Sequence, residues 1–210
     1  MGEAPIAGFE PVGLAGRCVE LAPLSPDHAE GLALAVRDGE LWQLWYTTIP
    51  HPDRMKAEIE RRLALQRAGS MLPFTVIDKP SGRIVGMTTY MNIDRAAPRV
   101  EIGSTWYAAS VQRTSLNAEA KLLLLAHAFN QLGCLAVEFR THFFNHQSRR
   151  AIERLGAKLD GVLRSHARAT NGTLRDTCVY SIVASEWPTV RAHLAWRLAR
   201  PETKIAGDPG

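Results

Sequence analysis

The chain has 210 residues, 46% apolar and 22% charged, which gives room for one globular domain with a sizeable core and excludes a fibrous or low-complexity protein. Its net charge is +4 at pH 7, but the basic residues are scattered, so nucleic-acid binding is not expected; Arg61-Arg62 and Arg149-Arg150 sit near Glu58, Glu60 and Glu153 and read as solvated helix faces. No apolar run approaches the roughly 20 residues that cross a bilayer, and the first residues show no basic head or apolar leader, so a cytoplasmic location without membrane association is expected.

Residues 1–16 are rich in Gly, Pro and Ala and are expected to be a loose lead-in. A single domain then spans 17–200, and 201–210 form a flexible tail. Residues 17–21 read as a strand. Ser25-Pro26-Asp27 starts a helix, with serine as N-cap and proline in the first turn. That helix runs to about residue 37, and 53–68 form a second. Strands at 73–78 and 83–94 flank the turn Lys79-Pro80-Ser81-Gly82. Residues 99–107 are the next strand. The stretch 116–132 is apolar on most sides, which marks a buried helix. A strand at 135–142, a helix at 145–155 and two strands around Asn171-Gly172 follow, and a helix at 185–200 closes the domain. The expected fold is therefore α/β: a mixed, mostly antiparallel sheet of about seven strands with helices on both faces. Cys18, Cys134 and Cys178 lack CxxC spacing and read as small buried hydrophobes. The seven histidines show no ligand spacing, so no metal is expected.

The strand at 99–107 leads through the polar segment Gln112-Arg113-Thr114-Ser115-Leu116-Asn117 into the buried helix. Backbone N–H groups at such a helix start favour an anion. The segment lacks the Gly-Lys-[Ser/Thr] ending of a Walker loop. A plain helix-capping loop is the other reading. A second segment joins Val137-Glu138-Phe139-Arg140-Thr141 to Asn145-His146-Gln147-Ser148 and a helix ending Leu155-Gly156-Ala157. Here Asn145 is also a plausible N-cap.

Together these segments resemble the GNAT (Gcn5-related N-acetyltransferase) superfamily, in its ribosomal-protein-type, RimJ/RimL-like branch. The segment at 112–117 is similar to the family's pyrophosphate loop, [Gln/Arg]-x-x-Gly-x-[Gly/Ala], with Ser115 in place of glycine and Asn117 in place of Gly or Ala. Glycine there permits close phosphate approach and positive φ; serine permits both less readily. The resemblance implies that Gln112, Arg113, Thr114, Ser115, Leu116, Asn117, Asn145 and Ser148 bind acetyl-CoA as co-substrate. Asn145 would meet its pantetheine arm, and Ser148 would act as acid toward the departing thiolate. It further implies acetyl transfer to a primary amine in a ternary complex, and pairing into a homodimer. The amine must be neutral to attack, and Glu101 and Glu138, on the central strands, are the candidate bases. The alternative for each is a strand carboxylate paired with arginine. Residues 41–46, Leu-Trp-Gln-Leu-Trp-Tyr, would roof the acceptor site or serve as core or dimer contacts. A catalytically weak acyl-CoA-binding or protein-interaction module on the same fold is the rival function.

Overall fold

Two tight turns set the registers of the sheet. In the computed structural model, which describes residues 8–169 and 171–200, β3 (Met71–Asp78) meets β4 (Arg83–Asp94) through Lys79–Gly82. Gly82 adopts φ +67°, and its N–H donates to the Asp78 carbonyl at 2.8 Å. Ser81 N also donates to the Asp78 carboxylate at 3.3 Å, which holds the turn from the side-chain end. β7 (Lys158–Arg168) and β8 (Leu174–Val183) flank Asn171-Gly172, where Gly172 takes φ +85°. The tail expected at 201–210 and residues 1–7 of the expected lead-in lie outside the described residues.

The remaining strands are β1 (Leu14–Ala15), β2 (Val19–Pro23), β5 (Arg99–Tyr107) and β6 (Ala136–His142). They form one sheet in the order β1-β2-β3-β4-β5-β6-β8-β7. Among the described residues there are eight strands rather than about seven, the extra one being the short β1, which pairs only Leu14 and Ala15 with β2. Two residues are too few to show alternation. Among the described pairs only β5 and β6 run parallel, and such a pair needs a helical crossover.

That crossover is α3 (Ser115–Asn130); the other helices are α1 (Ala29–Arg37), α2 (Met55–Arg67), α4 (His146–Glu153) and α5 (Trp187–Ala199). Ser25 caps as expected, its Oγ accepting from Asp27 N at 3.3 Å while Ser25 N donates to His28 Nδ1. A single 3-10 turn, Pro26–His28, precedes α1.

Neighbouring residues on β4 show which helix covers which face. Arg62 of α2 donates to Thr89 Oγ1 at 2.7 Å, whereas Lys121 of α3 donates to Thr88 Oγ1 at 3.3 Å. Successive strand residues point to opposite faces, so α2 and α3 sandwich the sheet. α5 packs on α3, where Trp187 stacks on Phe129 and donates to Asn130. Leu21, Phe74, Met87, Tyr90, Val137 and Tyr180 are fully buried in the core, each worth about 1.5–3 kcal/mol.

Arg62 corrects the solvated-face expectation. Arg61 is exposed and bonded to Glu58, but Arg62 is only 2% exposed, because α2 turns it down onto a defect in the sheet. The rungs Met87↔Trp106 and Thr89↔Gly103 leave Thr88 opposite two residues, Ser104 and Thr105. This is a β-bulge, with Ser104 at φ +46° and its carbonyl accepting from the Arg62 guanidinium at 3.3 and 3.4 Å.

Candidate active site

β5 and β6 share three rungs, Arg99↔Ala136, Val100↔Val137 and Glu101↔Glu138, and then part. β5 kinks at its bulge, while β6 continues beside β8 as far as His142↔Thr177. The split opens a cavity of about 440 Å³ walled by Gly103–Thr105 on one side and Phe139–Thr141 on the other.

The loop before α3 and the start of α4 converge on this cavity. Thr114 caps α3, its Oγ1 accepting from Leu116 N at 3.3 Å, and Asn145 caps α4, its Oδ1 accepting from Ser148 N at 3.0 Å. Gln147 Nε2 donates to Gln112 Oε1 at 3.2 Å, and Gln112 Nε2 donates to the Tyr107 carbonyl at 2.9 Å, so the loop and α4 are tied together. Gln112, Asn117, Asn145 and Ser148 line the cavity. Arg113 and Thr114 lie in an adjoining basic recess with Arg150, Arg154 and Arg197, and Ser115 lies beside it with Arg17 and Arg200. Leu116 instead packs into the core at 3% exposure. The left-handed residue of the loop is Arg113, at φ +65°, while Ser115 is the first helical residue of α3. The backbone freedom expected of a glycine is therefore needed two residues before Ser115.

Glu101 and Glu138 face each other across the last rung, outside the residues that line the cavity. Glu138 is bound by Arg99 and Arg140, each at 3.0 Å. Glu101 accepts from Asn92 Nδ2 at 2.8 Å, with Arg140 Nε 3.6 Å away. Burial raises the Glu101 pKa, opposed by the Asn92 bond and the Arg140 charge. Gly103 lies close beside it: a Cβ there would come within 2.7 Å of the Glu101 carboxylate and displace that side chain.

On the side toward α1 the cavity is walled by Leu41, Leu44, Tyr46 and Thr47–Ile49. The expected roof at 41–46 thus supplies three wall residues, whereas Trp45 is 50% exposed and packs on His142 and Phe144. Trp106 and Tyr107 of β5 also line the cavity, and their buried Nε1 and Oη have no hydrogen-bond partner among the described residues.

A family model described as "Acetyltransferase (GNAT) domain" matches residues 19–158. The chain belongs to the GNAT acetyltransferase family. Solved structures agree. A GCN5-related N-acetyltransferase from Brucella melitensis is 30% identical, with 95% of this chain and 90% of that one covered and a TM-score of 0.82. A putative acetyltransferase from T. thermophilus is 31% identical over 90% of this chain and 98% of that one, at 0.78. Mycobacterium smegmatis RimJ in complex with CoA-disulfide shares the fold at 21% identity, 90% and 96% coverage and 0.78. A search of curated protein sequences returned no match.

Membership in the GNAT family makes acetyl-CoA-dependent acyl transfer the general activity of this domain. No described helix is long and apolar enough to cross a membrane, and no cluster of three or more His, Cys, Asp or Glu among the described residues is arranged to hold a metal ion. The two charged residues of the cavity, Arg140 and Lys121, were given no role by the sequence reading. Lys121 carried a readable signal, since a lysine inside a helix that is apolar on most sides has little solvent-facing surface to occupy.

Proposed function

We propose that this GNAT domain transfers an acetyl group from acetyl-CoA to a primary amine by direct attack within a ternary complex. The observation that carries this reading is the cavity between β5 and β6, which adjoins a basic recess at the α3 end and is walled by Leu41, Leu44 and Tyr46–Ile49 at the other. The arginines around Arg113, with the start of α3, suit the phosphates of the co-substrate. The split between β5 and β6 suits its extended arm, with Asn145 and Ser148 along it. Backbone N–H groups of β5 past the last rung would face the developing oxyanion, and the Ser148 hydroxyl would lie beside the departing sulfur, within reach of a hydrogen bond to it.

The cavity also narrows the acceptor. None of the described residues lining it is acidic, and two, Lys121 and Arg140, are basic. A polycationic acceptor such as a polyamine or an aminoglycoside would find no counter-charge there. A protein N-terminus or a small amine bearing a neutral or anionic group fits better. Exposed Trp45 and Trp196 offer apolar surface for self-association, which a monomeric mass by light scattering at micromolar concentration would overturn.

Calorimetry with CoA tests the co-substrate half. Binding is expected, and the double variant Arg113→Ala, Arg197→Ala should weaken it by about 10–100-fold, the worth of bonds to charged groups. Absence of binding at millimolar CoA sinks the reading. Thiol release from acetyl-CoA across an amine panel tests the acceptor half, and CoA binding without any release would favour the weak binding module.

A further inference from the structure

Lys121 is 6% exposed, projects from the middle of the α3 sequence onto the bulge, and lines the cavity. Its Nζ donates to Thr105 Oγ1 at 3.1 Å and Thr88 Oγ1 at 3.3 Å, and those two hydroxyls lie 2.8 Å apart. No described carboxylate forms an ion pair with it. Glu119, two residues earlier on α3, is turned away to accept from Arg17 N and Cys18 N. His127, further along the same helix, stacks on Tyr90. The ionisable groups that share the cavity are Tyr107 on β5, Arg140 on β6 and Tyr46 on the opposite wall; α4 and its cap contribute only neutral Asn145, Gln147, Ser148, Ala151 and Ile152.

Resting on the acetyl-transfer reading, we propose that Lys121 carries the reaction's proton: neutral, it accepts the proton lost by the attacking amine and passes it to the sulfur of departing CoA. The step balances. The amine nitrogen bonds the thioester carbonyl carbon, the C–S bond breaks, one N–H proton moves to Nζ, and the same proton ends on the thiol. The two glutamates are less well placed for this work. Both lie outside the cavity lining, and both are engaged by arginine.

The chemistry of the group agrees with its position. Burial alone brings the Lys121 pKa from 10.5 down to about 7, so a large share is neutral near physiological pH. An α-amine has a pKa of roughly 8 and a thiol of roughly 8.5. A carrier near 7 lies within about 1 unit of the amine and gives its proton downhill to a thiolate.

The test uses the full chain, with acetyl-CoA and an alanine-initiated peptide as probe acceptor. Wild-type kcat should rise through a deprotonation near pH 7. Lys121→Met and Lys121→Arg should both lose that limb and about 10²–10⁴ of kcat, with CoA affinity by calorimetry unchanged. Arginine keeps the charge but cannot release a proton, so rescue by Lys121→Arg would mean an electrostatic role and overturn the proposal. It is also overturned if the limb survives in Lys121→Met, or disappears instead in Glu101→Gln or Glu138→Gln. A second readout needs no turnover: in ¹³C-lysine spectra, the resonance missing from Lys121→Met should titrate near pH 7, and titration near 10 overturns the proposal. Failure of wild type to bind CoA, or to release thiol, defeats the acetyl-transfer reading and the proposal with it. A titration near 7 with an unaltered kcat profile defeats the proposal alone.

Discussion

Arg62 and Lys121 meet the same bulge from opposite faces of the sheet, at 2% and 6% exposure, and they are in different electrical circumstances. Arg62 has a carboxylate: Glu58 accepts from its Nε at 2.7 Å, one helical turn away. Burial lowers the Arg62 pKa, but the Glu58 bond and charge work against that loss. Lys121 has hydroxyls alone, and burial acts on it unopposed. A buried cation with a counter-ion is a clamp, whereas one without a counter-ion is a group that titrates. The bulge therefore divides a structural face from a chemical one.

The largest expected effect is on the clamped side. Arg62→Met leaves Glu58 to Arg61 alone and takes the charged donor from Thr89 Oγ1 and the Ser104 carbonyl, and should destabilise the fold by about 3–5 kcal/mol in urea unfolding. A loss below about 1 kcal/mol would mean that the pair contributes little to the bulge.

Lys121→Met should act in the opposite direction. Between the folded pKa of about 7 and the unfolded value of roughly 10.4, the unfolded chain holds more lysine protons than the folded one, so the lysine's contribution to stability rises with pH across that window. It is least favourable below pH 7. The variant should thus be more stable than wild type by about 2 kcal/mol at pH 7, after allowing for two lost hydrogen bonds, and this advantage should shrink toward pH 10. A difference that does not change with pH would show that Lys121 is not depressed.

The smallest effects compare neighbouring threonines. Thr89→Val removes a bond to a permanent charge and should cost about 1.5–3 kcal/mol. Thr105→Val removes a bond that favours protonated Lys121, so it should cost less at pH 9 than at pH 6 and move the kcat limb to lower pH. Equal, pH-independent losses for the two variants would erase the distinction between the faces.

The sequence carried much of this architecture through local chemistry. Ser25, Gly82, Asn171-Gly172 and Asn145 each mark a cap or turn that needs no tertiary information, and each stands where expected. The convergence of 112–117 with the start of α4 was legible through the family resemblance, which gave both segments to one co-substrate. β1 was not, having only two residues. Nor was the fate of charged side chains. Arg61 and Arg62 are adjacent in sequence, yet only the 100° rotation per helical residue sends one to solvent and the other to the bulge. The bulge itself arises from a register mismatch between β4 and β5, which no single strand reveals.

The three-rung seam between β5 and β6 has a mechanical consequence. It joins two plates, β1 to β5 and β6 to β8, that must stand apart at one end to make the cleft. Main-chain bonding at the seam is brief, and side chains reinforce it, with Arg99 reaching from one plate to Glu138 on the other and Arg140 reaching back to Glu101. Such fasteners weaken as ionic strength rises, far more than peptide hydrogen bonds do. The grip of one plate on the other thus has a salt-sensitive part, carried by the same carboxylates that the sequence singled out for chemistry.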